Sequence, residues 1–189
     1  MKKINRYGTI LVISASLLSC KKDSSITYDS GETPAQEMAK AVPYVDNVED
    51  SYSFEIGFTF ISAKSGRVTQ LGGRLAEPGI SKVSFWDFDS KQKLDSVYVT
   101  IKDIAKFAYL PITPIHIEAG KKYLVSINTY PQRDYYVFNA LGDYDILPRA
   151  FGNITILEKR SNESGDYSFP GRPTLKNFNG WADIVFIPD

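Results

Sequence analysis

From residue 52 the chain alternates between two kinds of side chain. Tyr52, Phe54, Ile56, Phe58 and Phe60 are large and apolar, while Ser53, Glu55, Gly57 and Thr59 between them are small or polar. A period of two puts the bulky set on one face of a strand, and a slip of one residue would expose all five. Each such side chain stabilises the fold by roughly 1.5–3 kcal/mol if fully buried. The same rhythm predicts strands over 67–75, 80–88, 94–101, 107–112, 115–117, 122–129, 135–138, 154–157 and 182–187. Turn residues separate them: Ser65-Gly66, Glu77-Pro78-Gly79, Asp89-Ser90-Lys91-Gln92 and Ala119-Gly120. Pro111 and Pro114 cannot donate to a ladder, so 107–112 and 115–117 read as edges or strand ends. Gly72-Gly73 inside a strand reads as a bulge, or else as a point where a ligand passes close to the backbone.

Short strands spaced by turns, with no ten-residue helical pattern between them, predict an all-β fold. The expected form is an antiparallel two-sheet β-sandwich, jelly-roll or Ig-like, over residues 51–189. The one helical signal is Thr33-Pro34-Ala35-Gln36, with Pro at the first helical position and Gln placed for a capping box. A helix from there through Lys40 would be short and would matter little to the fold.

The N-terminal segment has a different pattern. Lys2, Lys3 and Arg6 precede an apolar run, Gly8 to Ser19, that is too short to span a bilayer, which takes about 20 apolar residues. Basic start, short apolar middle and small residues at the end describe a secretory signal. It closes Leu17-Leu18-Ser19-Cys20, which resembles the lipobox of bacterial lipoproteins. That resemblance implies a signal peptide over 1–19, cleavage before Cys20, and acylation of the Cys20 thiol and new N-terminus. Residues 20–50 then read as lipidated Cys plus tether. Acyl chains supply membrane affinity at about 0.8 kcal/mol per buried CH₂. No Asp follows the Cys directly, and Lys21-Lys22-Asp23 resembles the charged surface-export signals of Bacteroidetes lipoproteins. The expected location is therefore the outer membrane, facing outward, with the lipid as the membrane contact.

Charge and composition narrow the function. The 22 Lys+Arg balance 22 Asp+Glu, and loss of Lys2, Lys3 and Arg6 with the signal leaves 19 against 22, near −3. A mildly acidic chain lacks the basic footprint that nucleic-acid binding needs. One Cys excludes an intrachain disulfide, and one His excludes a multi-His metal centre and, with Cys20 carrying lipid, most nucleophilic triads. His116 lies on the polar face of its strand with Glu118 and reads as solvated. No cofactor is expected.

Two features carry candidate chemistry. Asp87-Phe88-Asp89 and Asp143-Tyr144-Asp145 place paired carboxylates on one face, but calcium takes six to eight oxygens. Turn hydrogen bonding is the simpler role, with Asp87 and Asp89 as the better calcium candidates. The second feature is aromatic. In Tyr130-Pro131-Gln132-Arg133-Asp134-Tyr135-Tyr136-Val137-Phe138 both faces of a strand carry rings, so one face must meet another surface or stay open. Sugars pack C–H faces on such rings, and Tyr is a common protein-contact residue. Tyr130, Arg133, Tyr135 and Tyr144 are the candidate ligand contacts. Trp86 and Trp181 sit in strand patterns and read as packing residues.

The order of segments also resembles a secreted bacterial β-sandwich family known only as a domain of unknown function. Phe54-Glu55-Ile56-Gly57-Phe58-Thr59-Phe60 is similar to its YELGVKF opening strand. Gly66-Arg67-Val68-Thr69 is similar to its Gly-Thr-Val/Ile-Thr strand, and Ser84-Phe85-Trp86-Asp87 with the turn after it to its SLWDSDG segment. Ala119-Gly120-Lys121-Lys122-Tyr123 is similar to AGTTY, and Gly180-Trp181-Ala182-Asp183-Ile184-Val185-Phe186 to its closing YWVDVVF. The chain departs from it by a shortened loop at Glu77-Pro78-Gly79 and by extra Tyr over 130–150. The resemblance supplies no catalytic residues and implies a binding or architectural module. The expected function is a non-catalytic, lipid-anchored binding module for a carbohydrate or a partner protein. The alternatives are a structural or accessory subunit of a surface assembly and, more weakly, a glycan-active hydrolase.

Overall fold

In the computed structural model the alternating segments are strands. Residues 31–42, 46–48, 54–139, 145–163, 167–179 and 181–189 are described, 46–48 by backbone alone. A helix α1, Pro34–Ala41, comes first. It is followed by β1 (Asp46–Val48), β2 (Glu55–Ser62), β3 (Gly66–Arg74), β4 (Gly79–Asp87), β5 (Lys93–Ile101) and β6 (Ala108–Ile117). Then come β7 (Tyr123–Asn128), β8 (Tyr135–Asn139), β9 (Arg149–Phe151), β10 (Ile154–Asn162), β11 (Arg172–Thr174), β12 (Asn177–Asn179) and β13 (Trp181–Pro188).

The strands form an antiparallel sandwich. The large sheet runs β11-β10-β2-β7-β4-β5, with β9 also on β10, and the sheet β13-β3-β6 faces it. A third sheet, β1-β8-β12, closes one end. The core lies where period two sends the large side chains: Phe58 and Phe60 from β2, Val83 and Phe85 from β4, Tyr123, Val125 and Ile127 from β7. Rings pack on rings, Phe60 to Phe85 at 6.2 Å and Phe85 to Tyr123 at 5.7 Å between centroids. From the other layers, Trp181 meets Phe178 edge-on at 4.9 Å, and Phe178 meets Phe58 at 5.5 Å. Such contacts add about 0.5–1.5 kcal/mol each beyond area burial.

Three local expectations change. The prolines do not split β6: one strand runs through Pro111 and Pro114 at the edge of its sheet, and a bulge in β6 between Pro111 and Ile115, opposite Gln70 and Val68, absorbs the lost ladder bonds. Gly72 and Gly73 are not that bulge. A Cβ at Gly72 would lie 2.3 Å from the Tyr109 ring, and one at Gly73 2.8 Å from Ile127 Cδ1. The close approach is made by the protein's own neighbouring chains.

The third change concerns α1, which matters to the fold. Ala35 and Met38 are fully buried in the core, and Glu32 pairs with Phe186 of β13. Residues 31–42 are thus packed on the sandwich rather than serving as tether. The capping box does not form. Thr33 makes no side-chain cap bond; instead Asp183 of β13 accepts from the Ala35 and Gln36 N–H groups at 3.0 and 2.9 Å. The helix start is satisfied from 148 residues away, which spacing within the helix could not reveal.

Candidate functional site

The face of the large sheet turned away from the core carries an unusual set of side chains. On β2 and β7 the outward positions hold Glu55, Gly57, Ser126 and Asn128. Glu55 is fully buried and accepts from Ser126 Oγ at 2.5 Å and Asn128 Nδ2 at 2.8 Å. Trp86 of β4 donates its indole N–H to the same Ser126 Oγ at 2.9 Å. Ser84, opposite Ser126 in register, has a buried hydroxyl with no protein partner. Small side chains at Gly57, Ser126, Ser84 and Ser96 lie in register across four strands and leave a low, polar floor.

A strap of irregular chain, residues 167–171, crosses this floor. Phe169 meets Trp86 edge-on at 5.7 Å and Phe88 at 5.8 Å. Asn162 donates to Ser168 Oγ at 2.5 Å, Arg160 to the Gly171 carbonyl at 3.0 Å, and Lys93 to the Tyr167 carbonyl at 3.1 Å. Tyr167 sits at φ 57°, a left-handed backbone that side chains adopt uncommonly. Its ring lies 4.7 Å from Lys82 Nζ, which is also 5.5 Å from the Tyr98 ring across the strand pair. Lys93 Nζ lies 4.5 Å over Trp86.

The electrostatics match this geometry. Burial pushes Glu55 above the usual carboxylate range, against the pull of its two hydrogen bonds and of Lys93 and Lys82. Burial lowers Lys93, and the nearby Lys82 charge lowers it further. Burial raises Tyr167, aided by Tyr98, Glu55 and Tyr130, so these groups share one field. Tyr98 and Tyr130 are 58% and 55% exposed. The face therefore offers open tyrosine rings and ammonium donors, while the Ser84 hydroxyl stays buried in the floor. Glu55 is out of reach of solvent and serves to hold Ser126 and Asn128 in place.

The sequence candidates separate. Tyr130 is exposed at the margin of this face. Arg133 is not a surface contact: it is buried, donates to Ser81 Oγ at 2.8 Å and to the Glu77 carbonyl, and packs against Gly79. Its fork ties the loop that enters β4, where Gly79 takes φ 145°. Tyr135 is likewise buried, edge-on to Phe54 at 6.0 Å. Both faces of β8 are covered, since Tyr136 on the other face stacks beneath Arg74 at 4.3 Å. Tyr144 and Cys20 lie outside the described residues.

Asp87 does not gather a calcium set. It pairs with Lys121 at 2.8 Å and accepts from the Ser90 N–H and hydroxyl, while Asp89 is exposed. Lys121 and Ser90 hold the Asp87 carboxyl well down, at about 2. Among the described residues no cluster of three or more His, Cys, Asp or Glu is placed to hold a metal ion. His116 is exposed beside Asp189. Trp86 and Trp181 are both buried packing residues, as their strand positions indicate. Tyr98 was legible through its alternation with Val97 and Val99, though neither it nor Lys82 was among the sequence candidates. Tyr167 was not legible, because nothing in an irregular segment says which face it crosses.

No family model matches the chain, and no curated protein matches it. Among the described residues no helix is long and apolar enough to cross a membrane.

Proposed function

We propose that the protein is a lipid-anchored, non-catalytic binding module of the cell envelope, and that it holds a carbohydrate on the outward face of its large sheet. The anchor rests on the lipobox ending at Cys20. The observation that carries the ligand is the grouping of Tyr98 and Tyr167 around Lys82, with the exposed Tyr130 in the field of Tyr167, above a polar floor. Rings stack on sugar C–H faces, and an ammonium bonds sugar hydroxyls. A glycan microarray tests this, with wild type against Tyr98→Ala. The expected result is retention of one or a few glycans by wild type and about five- to 150-fold weaker retention by the variant, since removing a stacking ring costs about 1–3 kcal/mol in comparable base–aromatic stacking. Glycan retention that survives Tyr98→Ala and Tyr167→Ala together would remove the site.

A protein partner is the second reading. Ile80, 61% exposed, lies on the same face diagonal to Tyr98, and among the described residues β5 hydrogen-bonds to β4 alone. An open edge of this kind accepts an added strand. A stoichiometric protein that copurifies and is lost on Ile80→Lys would favour it.

A further inference from the structure

A concave site lies away from the tyrosine face, between α1 and the chain entering β6. It is a groove of about 420 Å³, within the range of small-molecule sites. Arg74, Lys40 and Lys106 line it together with Phe107, Ala39 and Ala105, and no acidic side chain is among the lining residues. We propose that this groove binds a small organic monoanion, a carboxylate attached to an apolar ring.

The charge count points to one negative charge. Lys40 is already paired with Glu37 at 2.6 Å, and Lys106 with Asp103 at 3.1 Å. Asp183, on the neighbouring strand, spends its oxygens on the Ala35 and Gln36 N–H groups and on the Tyr109 hydroxyl at 2.7 Å. Among the described residues Arg74 has no acidic partner. Its guanidinium lies 4.3 Å from the Tyr136 ring centre and 5.9 Å from those of Phe107 and Trp181, which attract a cation but carry no net charge. Its Nε is buried with no hydrogen-bond partner. Burial lowers the guanidinium from its ordinary value, and the Tyr136 side chain offsets this in part.

The shape of the donors selects the anion. A guanidinium fork matches the two oxygens of a carboxylate, which a lone ammonium does not. Phe107, Ala39 and Ala105 supply the apolar wall for the rest of the ligand. A polyanion fits less well, because the two lysines are already neutralised by partners they would have to abandon.

Benzoate serves as the probe and benzamide as its neutral isostere, in a proton–nitrogen NMR titration of the purified protein at fixed pH and ionic strength. Benzoate is expected to move the Arg74 Nε–H and the Ala39, Ala105 and Phe107 amide signals, and benzamide to leave them in place. Arg74→Lys keeps the charge and removes the fork, and about a tenfold loss of affinity is expected. Ala105→Glu, at an exposed position, brings a negative charge into the groove without disturbing the rings around Arg74, and loss of benzoate binding is expected. Equal binding of benzamide, undiminished binding in Ala105→Glu, stronger competition by inorganic phosphate, or no movement at Arg74 would each overturn the assignment. None of these signals passes through the tyrosine face, so the result is independent of the glycan reading.

Discussion

The two faces of β2 and β7 are both shut off from water, but by different chemistry. Inward, Ile56, Phe58, Phe60, Val125 and Ile127 exclude water by area and dispersion. Outward, Glu55, Ser126, Asn128 and Trp86 close the face by directed hydrogen bonds beneath the strap. Gly57 lies between them, where a Cβ would fall 1.9 Å from the Val125 carbonyl oxygen. The difference is in how each face fails. An apolar face loses stability in proportion to volume removed. A polar one depends on every donor keeping its acceptor, because an orphaned buried group costs more than the bond was worth.

The strongest way to break that contrast is to remove volume. Phe60→Ala should cost about 3–5 kcal/mol, read as a lower urea midpoint at unchanged slope. A loss below 1 kcal/mol would mean that the inner layer is not packed around Phe60. Next is Glu55→Ala, which orphans Ser126 and Asn128 and should cost about 1–3 kcal/mol in the same measurement.

Glu55→Gln sharpens the comparison through pH. The folded value of Glu55 is raised above its ordinary 4.5, so the folded state holds this proton more tightly than the unfolded chain does. The contribution is fully present below about pH 4.5 and is lost as pH rises through the raised folded value. The Gln variant should therefore show a flatter decline in stability above pH 4.5 than wild type. Parallel curves would contradict a buried, destabilised carboxylate.

The smallest effect belongs to Asp87, with the opposite sign. Its folded value is depressed to about 2, so its contribution is present above 3.8 and is lost as pH falls toward 2. The pair with Lys121 is partly open to solvent, so Asp87→Asn should cost only about 0.2–1 kcal/mol at neutral pH. An acid transition unchanged by that substitution would remove the pair from the account.

Much of the sandwich was legible because period two is a local signal, readable wherever a strand has unlike faces. The strands from Glu55 to Asn128 appear within a residue or two of where alternation places them, apart from the join through Pro111 and Pro114. The short strands β1, β9, β11 and β12 were not legible, since three residues carry no period. For the site, alternation set Tyr98 opposite Val97 and Val99 without singling it out, while the candidates Tyr135 and Arg133 are buried, because a local pattern says which side chains share a face and not what later covers that face. In β8 both faces are covered, one by the core and the other by Arg74.

By itself the sequence determined the all-β class and the side chains that share each face, because each is a property of neighbours along the chain. Only the tertiary structure decided that Asp183 caps α1, that the strap brings Tyr167 to Lys82, and that Arg74 faces a groove without an acid of its own. These join segments far apart in the chain, and their energy comes from burial and pairing that exist only once the layers have closed.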